Sequence, residues 1–295
     1  MHTATYYIDL LLSGITVGSL YALIAIGYTM VYGILRLINF AHGDIFMMAG
    51  FFMVYISASM PMAVAIPIVL AMTVLLGVLI ERAAYKPLRS APRMSVMISA
   101  IGVSYLLQNL ATYITGGLAR AYPDIPFLKG TFMAGALKVK VITVVTPVLT
   151  ILLVIALVIF INHTKTGMAM RAVSKDFDTA RLMGIKVNNV ISVTFIIGSF
   201  LAGVGSILYF TNYGQVSPTI GAMPGLKAFV AAVFGGIGSI PGAVLGAYII
   251  GICESLIKAN DSIAIFSNAF TFALLIIVLL FKPNGMFGEK LTEKV

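Results

Sequence analysis

The chain has 295 residues, of which 60% are apolar and only 10% are charged, with a mean hydropathy of +1.05. Soluble domains carry about 25% charged residues, so this composition excludes a water-soluble globular domain. The net charge of +9 does not indicate nucleic-acid binding, because the lysines and arginines stand in short gaps between apolar runs. That arrangement is typical of the cytoplasmic loops of membrane proteins.

Nine apolar runs follow one another along the chain, at about 9–33, 45–60, 62–80, 95–115, 141–162, 190–210, 226–240, 241–258 and 263–281. About 20 apolar residues span a bilayer, and continuous rather than alternating runs indicate helices rather than barrel strands. The sequence therefore predicts an all-α polytopic membrane protein. Residues 1–295 would form one integral-membrane domain with about eight or nine transmembrane helices.

Two breaks interrupt the apolar runs, Asn39–Asp44 in the first half of the chain and Gly235–Gly242 in the second. Backbone that leaves the helix survives at membrane depth only against protein or a water-filled cavity. Breaks at corresponding places in two halves point to a transport pathway built from broken or re-entrant helices. The alternative is that each break is an ordinary loop between two short helices. We expect the pathway to include Asn39, His42, Gly43, Gly235, Gly236, Gly238 and Pro241.

Small residues recur at four-residue spacing on two of the runs, as Gly14, Gly18 and Ala22 and as Gly242 and Gly246. This spacing lets helix backbones approach closely in lipid. It predicts helix packing and carries no information about a substrate.

Three ionisable residues fall within or beside the apolar runs, namely Asp44, Lys227 and Glu254. A charge at the centre of a span costs about 2.5–3.5 kcal/mol on insertion scales. Because Lys227 and Glu254 lie near the ends of their runs, snorkelling to the membrane interface explains them about as well as function does. The sequence contains no series of such groups that would form a proton relay, which disfavours an ion-driven transporter.

The loop 163–189 is long and cationic. Its run Asp178 to Met183 is compatible with a helix, and Gly184 supplies a C-terminal cap, so a short surface helix is predicted here. The functional interpretation is a docking element for a cytoplasmic partner. The alternative is a solvated connector.

Lysine and arginine positions predict the orientation. The loops 81–94 and 163–189 and the tail from Lys282 are cationic, and helix alternation allows all three on the cytoplasmic side. The stretch 116–140 is then outside, although it also contains four cations. The N-terminus is outside if all nine runs cross the membrane, and inside if one of them is only re-entrant.

Enzymatic signatures are absent from the sequence. It has no GxxxxGK[ST] phosphate-binding loop and no nucleophile elbow, and its histidines, at 2, 42 and 163, are scattered. We therefore expect a protein that is not an enzyme and has no cofactor or metal of its own.

The loop 163–189 resembles a known coupling element. Permeases of ATP-binding-cassette importers carry a cytoplasmic E-A-A-x-x-x-G motif that docks on the ATPase subunit. The residues Asp178, Thr179, Ala180 and Gly184 match this motif in register, with Asp in place of Glu and Thr in place of the first Ala.

Longer segments resemble the branched-chain amino acid permease family, and its LivH-type subunits more than their LivM-type partners. The resemblance runs from about residue 14 to the tail. It is carried by Tyr21–Gly33, Ile38–Gly43, Glu81–Arg82, Tyr85–Arg89, Ser99–Gly102, Lys227–Phe229 and Gly235–Ala243.

The resemblance implies a type II-like importer pore in the inner, or cytoplasmic, membrane, with a cytoplasmic C-terminus. Its partners would be a second homologous permease, two ATPase subunits that use ATP, and an extracytoplasmic amino-acid-binding protein. The substrates would be leucine, isoleucine, valine or other neutral amino acids. A permease for urea, short amides or sugars is the alternative within this superfamily. An ion-coupled secondary carrier is the alternative from another class.

Overall fold

The computed structural model describes residues 2–89, 91–134 and 137–287, and the chain there is almost entirely helical. The helices are α1 (His2–Leu35), α2 (His42–Ser57), α3 (Met62–Ile80), α4 (Arg93–Thr115), α5 (Val141–His163), α6 (Lys165–Lys175), α7 (Phe177–Leu182), α8 (Val187–Tyr213), α9 (Ala222–Gly235), α10 (Ile240–Lys258), α11 (Asp261–Ala264) and α12 (Ser267–Phe281). A π-helical turn, Glu81–Tyr85, extends α3. Four short strands complete the fold: β1 (Arg120–Ala121), β2 (Thr131–Ala134), β3 (Leu137–Lys140) and β4 (Gln215–Val216).

Nine apolar helices correspond to the nine predicted runs, which confirms the all-α polytopic membrane class. Within the described ranges, six of them are long and apolar enough to cross a membrane: α1, α3 with its π-helical turn, α4, α5, α8 and α10. The other three, α2, α9 and α12, are apolar but shorter. The length criterion therefore does not confirm the count of eight or nine transmembrane helices. Six helices meet it, and of the three shorter ones α2 and α9 begin inside the bundle.

Helices α1 and α8 form the centre of the bundle. Two-thirds of the span window of each is buried within the chain (67%), against 17% for α5. Helix α1 packs closely on α10, where a Cβ on Gly14 would lie 2.9 Å from the Cα of Ile252, and one on Gly18 would lie 2.8 Å from the Cα of Tyr248. The predicted small-residue face is therefore a packing face.

Hydrogen bonds between distant segments define two opposite faces of the bundle. At one face, the Tyr6 hydroxyl donates to the Ala259 carbonyl at 3.2 Å, and α1 begins beside the end of α10. We call this the Tyr6 face. At the other face, the Arg36 guanidinium donates to the Ser174 carbonyl at 3.4 Å, and α1 ends beside α6. This second face, the Arg36 face, also contains residues 81–89, 163–186, 236–239 and 282–287.

The strands lie at the Tyr6 face. Strand β1 pairs antiparallel with β4, with Arg120 opposite Val216, and β2 pairs with β3 in a hairpin. The pairing joins the segment after α4 to the end of α8, and the Tyr122 amide donates to the Gly214 carbonyl at 3.0 Å. Residues 116–134 are thus anchored to the helical bundle.

Candidate functional site

The first break lies slightly earlier in the chain than predicted. The non-helical residues are 36–41, and His42, Gly43 and Asp44 already form the first turn of α2. The buried Asn39 organises the turn, because its side-chain oxygen accepts hydrogen bonds from the Tyr85 hydroxyl at 2.8 Å and from the Ala41 amide at 3.2 Å.

Helix α2 begins inside the bundle rather than at its surface. The buried His42 ring packs against Gly27, about two helical turns before the end of α1, and edge-on against Tyr28 at 4.9 Å between ring centroids. From this point α2 runs toward the Tyr6 face, where Gly50 packs against Phe210. Residues 36–41 therefore form a re-entrant turn.

Helix α9 begins inside the bundle as well, directly against the start of α2. A Cβ on Gly43 would lie 2.6 Å from the Gly221 carbonyl oxygen and 3.1 Å from the Cα of Gly225. From there α9 runs to the Arg36 face, where Gly235 packs against Gly242. Two half-helices thus start at one place and run to opposite faces.

The two predicted breaks have different neighbours. The first break contacts the start of α9, whereas the second contacts α1, with a Cβ on Gly33 lying 3.7 Å from the Cα of Gly238. The segment missed by sequence reasoning is 217–225. Its two prolines and two glycines, at 218, 221, 224 and 225, were a signal for non-helical backbone within an apolar region.

The second break is shorter than predicted. Only residues 236–239 are non-helical, and the glycines at 236 and 238 have left-handed φ angles of +108° and +101°. Ser239 caps α10 by accepting a hydrogen bond from the Gly242 amide at 3.3 Å, and Pro241 lies in the first turn, where its missing N–H costs nothing. The predicted residues Gly235, Gly236, Gly238 and Pro241 are therefore a tight helix-to-helix turn at the Arg36 face.

A cavity of about 320 Å³ lies beside the junction of α2 and α9. Its polar groups come from Tyr28, Asp44, Ser104 and Gln108, and its apolar groups include Phe40, Leu226 and Phe229. The Ser104 hydroxyl donates to Asp44 Oδ2 at 2.5 Å, and the Gln108 amide donates to Asp44 Oδ1 at 3.0 Å. Helix α4 thus closes one side of the cavity with two neutral hydrogen-bond donors.

The other two buried charges form a network of their own, which corrects the snorkelling interpretation. The Lys227 ammonium lies 2.6 Å from Glu254 Oε1, and both residues are buried. Lys258 lies 2.6 Å from the same oxygen, and the Tyr21 hydroxyl donates to Glu254 Oε2 at 2.8 Å. The network joins α1, α9 and α10, so these residues are paired inside the bundle.

The predicted surface helix in the loop 163–189 is confirmed as α7. Asp176 caps it by accepting hydrogen bonds from the amides of Asp178 and Thr179 at 2.9 and 3.0 Å, and Gly184 ends it with a φ of +80°. Ala180 is buried, whereas Leu182 and Met183 are 87% and 78% exposed. Helix α6, which precedes α7, was not predicted.

Polar groups beside α7 connect the loop after α3 to α8. The Glu81 carboxylate pairs with Arg89 and accepts a hydrogen bond from Ser192 at 3.1 Å, and Arg89 also donates to Asn188. Burial lowers the pKa of the Arg89 guanidinium, although Glu81 opposes this and Arg181 adds to it. Arginine stays protonated under such shifts. The network therefore holds the loop after α3 against α8, next to α7.

Comparison with known proteins gives a consistent result. The family model described as "Branched-chain amino acid transport system / permease component" matches residues 10–279. The high-affinity branched-chain amino acid permease LivH of Salmonella typhimurium is 41% identical over 98% of each chain, and BraD of Pseudomonas aeruginosa is 40% identical over the same shares. The ribose import permease RbsC of Haemophilus influenzae is 24% identical over 97% of this chain and 88% of its own.

Proposed function

This chain belongs to the family of permease components of branched-chain amino acid transport systems, and from that premise we propose that it forms half of the membrane pore of an ATP-driven importer for leucine, isoleucine and valine. The single observation that carries the substrate class is the full-length similarity to LivH and BraD. Similarity to the ribose permease is much weaker, so a sugar substrate is not favoured. Membership in this family of transport subunits also argues against an enzyme and against an ion-coupled carrier.

The proposed partners are a second homologous permease, two cytoplasmic ATPase subunits and an extracytoplasmic amino-acid-binding protein. Helix α7 supports the ATPase contact, because it projects Leu182 and Met183 from the Arg36 face while Ala180 anchors it to the bundle. An exposed apolar pair on an otherwise cationic surface fits the groove of a partner protein. In this proposal Asp178, Thr179, Ala180 and Gly184 shape the coupling helix.

The Arg36 face is proposed to be cytoplasmic. Most of the 19 lysines and arginines belong to it, and such an excess marks the cytoplasmic side. They are Arg36, Arg82, Lys86, Arg89, Arg93, Lys165, Arg171, Lys175, Arg181, Lys186 and Lys282. The tail cations Lys290 and Lys294, which contributed to the prediction, lie outside the described residues. With this orientation the C-terminus is cytoplasmic, and residues 116–134 face the binding protein.

The translocation pathway is proposed to pass the junction of the two half-helices. Asn39, His42 and Gly43 build one side of that junction. Gly235, Gly236, Gly238 and Pro241 build the turn at the cytoplasmic end of α9. Non-helical backbone of this kind is tolerated at membrane depth where it is buried in protein or lines a cavity.

The experiment that tests the function is purification of the complete complex from its native cells, followed by reconstitution into liposomes. We expect a second permease, two ATPases and a binding protein to copurify, and radiolabelled leucine uptake to require ATP. Ribose in place of leucine is the matched control. Uptake driven by an ion gradient without ATPase subunits would contradict the proposal.

A coupling variant tests the role of α7. Gly184→Glu is expected to abolish ATP-driven uptake while insertion and abundance stay nearly normal, because it places a charge beside the exposed apolar pair. Gly184→Ala is the control, since it introduces the same left-handed strain of about 1 kcal/mol without the charge. Wild-type uptake by a well-expressed Gly184→Glu protein would refute docking at this helix.

Thiol labelling tests the orientation. Cys253 is the only cysteine of the chain, so Cys253→Ser gives a clean background. A cysteine introduced by Lys175→Cys, at an exposed position of α6, should react with a membrane-impermeant reagent only in inverted vesicles. One introduced by Asp124→Cys should react in intact cells. The reverse pattern would overturn the orientation.

A further inference from the structure

Asp44 is a buried carboxylate whose hydrogen-bond partners are all neutral. Its side chain is 2% exposed and lies beside the cavity at the start of α9. Ser104 and Gln108 donate one hydrogen bond to each oxygen, at 2.5 and 3.0 Å. In the part of the chain that the structure describes, no lysine, arginine or histidine lies within ion-pair distance of this carboxylate.

Two neutral hydrogen bonds leave the charge of Asp44 uncompensated. An ionised carboxylate accepts about four hydrogen bonds, so two acceptor positions remain for a ligand. The first turn of α2 gives the charge a favourable position near the helix start, which explains why it is tolerated there. A partial dipole charge does not replace a cation, and charges inside membrane proteins ordinarily pair or mark a substrate path.

The cavity beside Asp44 has the size and lining of a site for a small amphipathic molecule. Its volume of about 320 Å³ falls within the range of small-molecule sites, about 300–1,000 Å³. Phe40, Leu226 and Phe229 contribute apolar side chains to the same cavity. Helix α9 starts at the same cavity, and its N-cap, Gly221, has no side-chain cap. Its positive dipole end favours a carboxylate there.

Part of the cavity lining on α4 is exposed at the surface of the chain. Helix α4 is the least apolar of the six spans, and its exposed side next to the cavity includes Tyr105 and Asn109. The Tyr105 side chain lines the cavity and is 63% exposed. The cavity is therefore open to the outside of the chain beside Tyr105.

We propose that the Asp44 cavity is a transient binding site for an aliphatic amino acid, in which the Asp44 carboxylate pairs with the α-ammonium group of the substrate. The aliphatic side chain contacts Phe40, Leu226 and Phe229, and the substrate carboxylate faces the start of α9. This inference rests on the proposed import of branched-chain amino acids and specifies where the zwitterion pauses within the pore.

Leucine uptake by the reconstituted complex is the first test. Asp44→Asn keeps the shape of the side chain and its ability to bond Ser104 and Gln108, but it removes the charge. Uptake should fall at least about tenfold, because a charge-assisted hydrogen bond to the substrate is lost. ATPase stimulation by the liganded binding protein and the amount of assembled complex should both be retained. Asp44→Glu should recover most of the uptake.

Two control variants separate the ligand from the scaffold. Ser104→Ala removes one hydrogen bond to Asp44 but leaves its charge, so uptake should fall less than it does in Asp44→Asn. Asp261→Asn removes an exposed carboxylate at the Tyr6 face, outside residues 116–134, and should have no effect. Uptake by Asp44→Asn within threefold of the wild-type value would overturn the proposal, as would an equal loss in Asp44→Glu.

A second measurement detects the negative charge in the cavity without a transport assay. Ala222→Cys in the Cys253→Ser background places a thiol in the cavity wall, and its reaction rates with the cationic reagent MTSET and the anionic reagent MTSES are compared. Adding Asp44→Asn should lower the ratio of the two rates about tenfold, because the attraction for cations is lost. Saturating leucine should slow the MTSET reaction only when Asp44 is present.

These outcomes distinguish the site from the function on which it rests. An unchanged rate ratio, or leucine protection that is equal in Asp44→Asn, would overturn the site even if Asp44→Asn fails to assemble for the uptake assay. A wild-type complex that imports no leucine would instead refute the proposed function. Normal import by wild type together with normal import by Asp44→Asn would leave the function standing and remove the site.

Discussion

Asp44 and Glu254 are buried to the same extent, each 2% exposed, but their neighbours differ in charge. Glu254 lies between two lysines and a tyrosine hydroxyl, and its charge is fully compensated within the chain. Within the described part of the chain, Asp44 has only a serine and a glutamine as hydrogen-bond partners, and it lies beside a cavity. The burial of a charged side chain therefore does not reveal its role. Whether the chain itself supplies a partner of opposite charge is more informative.

The largest expected effect comes from removing the compensated charge. Glu254→Gln leaves the Lys227 ammonium buried without its counter-charge, and breaking a buried pair in this way costs about 3–5 kcal/mol. We expect most of the assembled complex to be lost, measured as monodisperse protein after detergent extraction. Lys258→Gln is the control, because Lys258 is half exposed and its loss should cost no more than about 1 kcal/mol. Normal yield from Glu254→Gln would show that the network is not structural.

A double variant sharpens the same point and has an intermediate effect. Lys227→Met combined with Glu254→Gln removes both buried charges, and replacing a buried pair with uncharged groups is often nearly neutral. The double variant should therefore regain most of the thermal stability that Glu254→Gln loses. A double variant as unstable as the single one would mean that the ion pair itself, rather than the orphaned lysine, determines stability.

The smallest effect on stability is expected at the other carboxylate. Asp44→Asn leaves no charge behind, and its amide can still form hydrogen bonds with Ser104 and Gln108. The free energy of unfolding, measured through the melting temperature, should therefore change by less than about 1 kcal/mol. The contrast with Glu254→Gln is the result of interest. If Asp44→Asn destabilises the complex as strongly as Glu254→Gln does, both carboxylates stabilise the fold, and Asp44 does not differ from Glu254 in its role.

Hydropathy predicted the helices well, because each span is continuously apolar. The run 62–80 coincides with α3, and 241–258 differs from α10 by one residue. The short helix α7 was also predicted, since the cap at Gly184 is a local signal. These features depend on residues close together in the sequence.

Pairings between distant segments were not predictable in the same way. The contact of Gly43 with Gly221 joins residues on different helices, and no local pattern specifies it. The ion pair of Lys227 with Glu254 likewise depends on how α9 and α10 pack. For the candidate site, the sequence supplied the first break and the presence of Asp44. The cavity and its neutral donors, Ser104 and Gln108, required the fold.

The segment after α12 fastens the end of a half-helix. The amides of Met286 and Phe287 donate to the carbonyls of Phe234 and Gly235 at 2.9 Å each, so the last carbonyls of α9 are satisfied by a stretch of chain about fifty positions further on. Shortening the protein to residue 284 would expose those two carbonyls and free α9 at its end on the Arg36 face. A fluorescent protein fused after residue 287 keeps both hydrogen bonds. The place to attach a reporter or a purification tag to this permease therefore lies beyond residue 287.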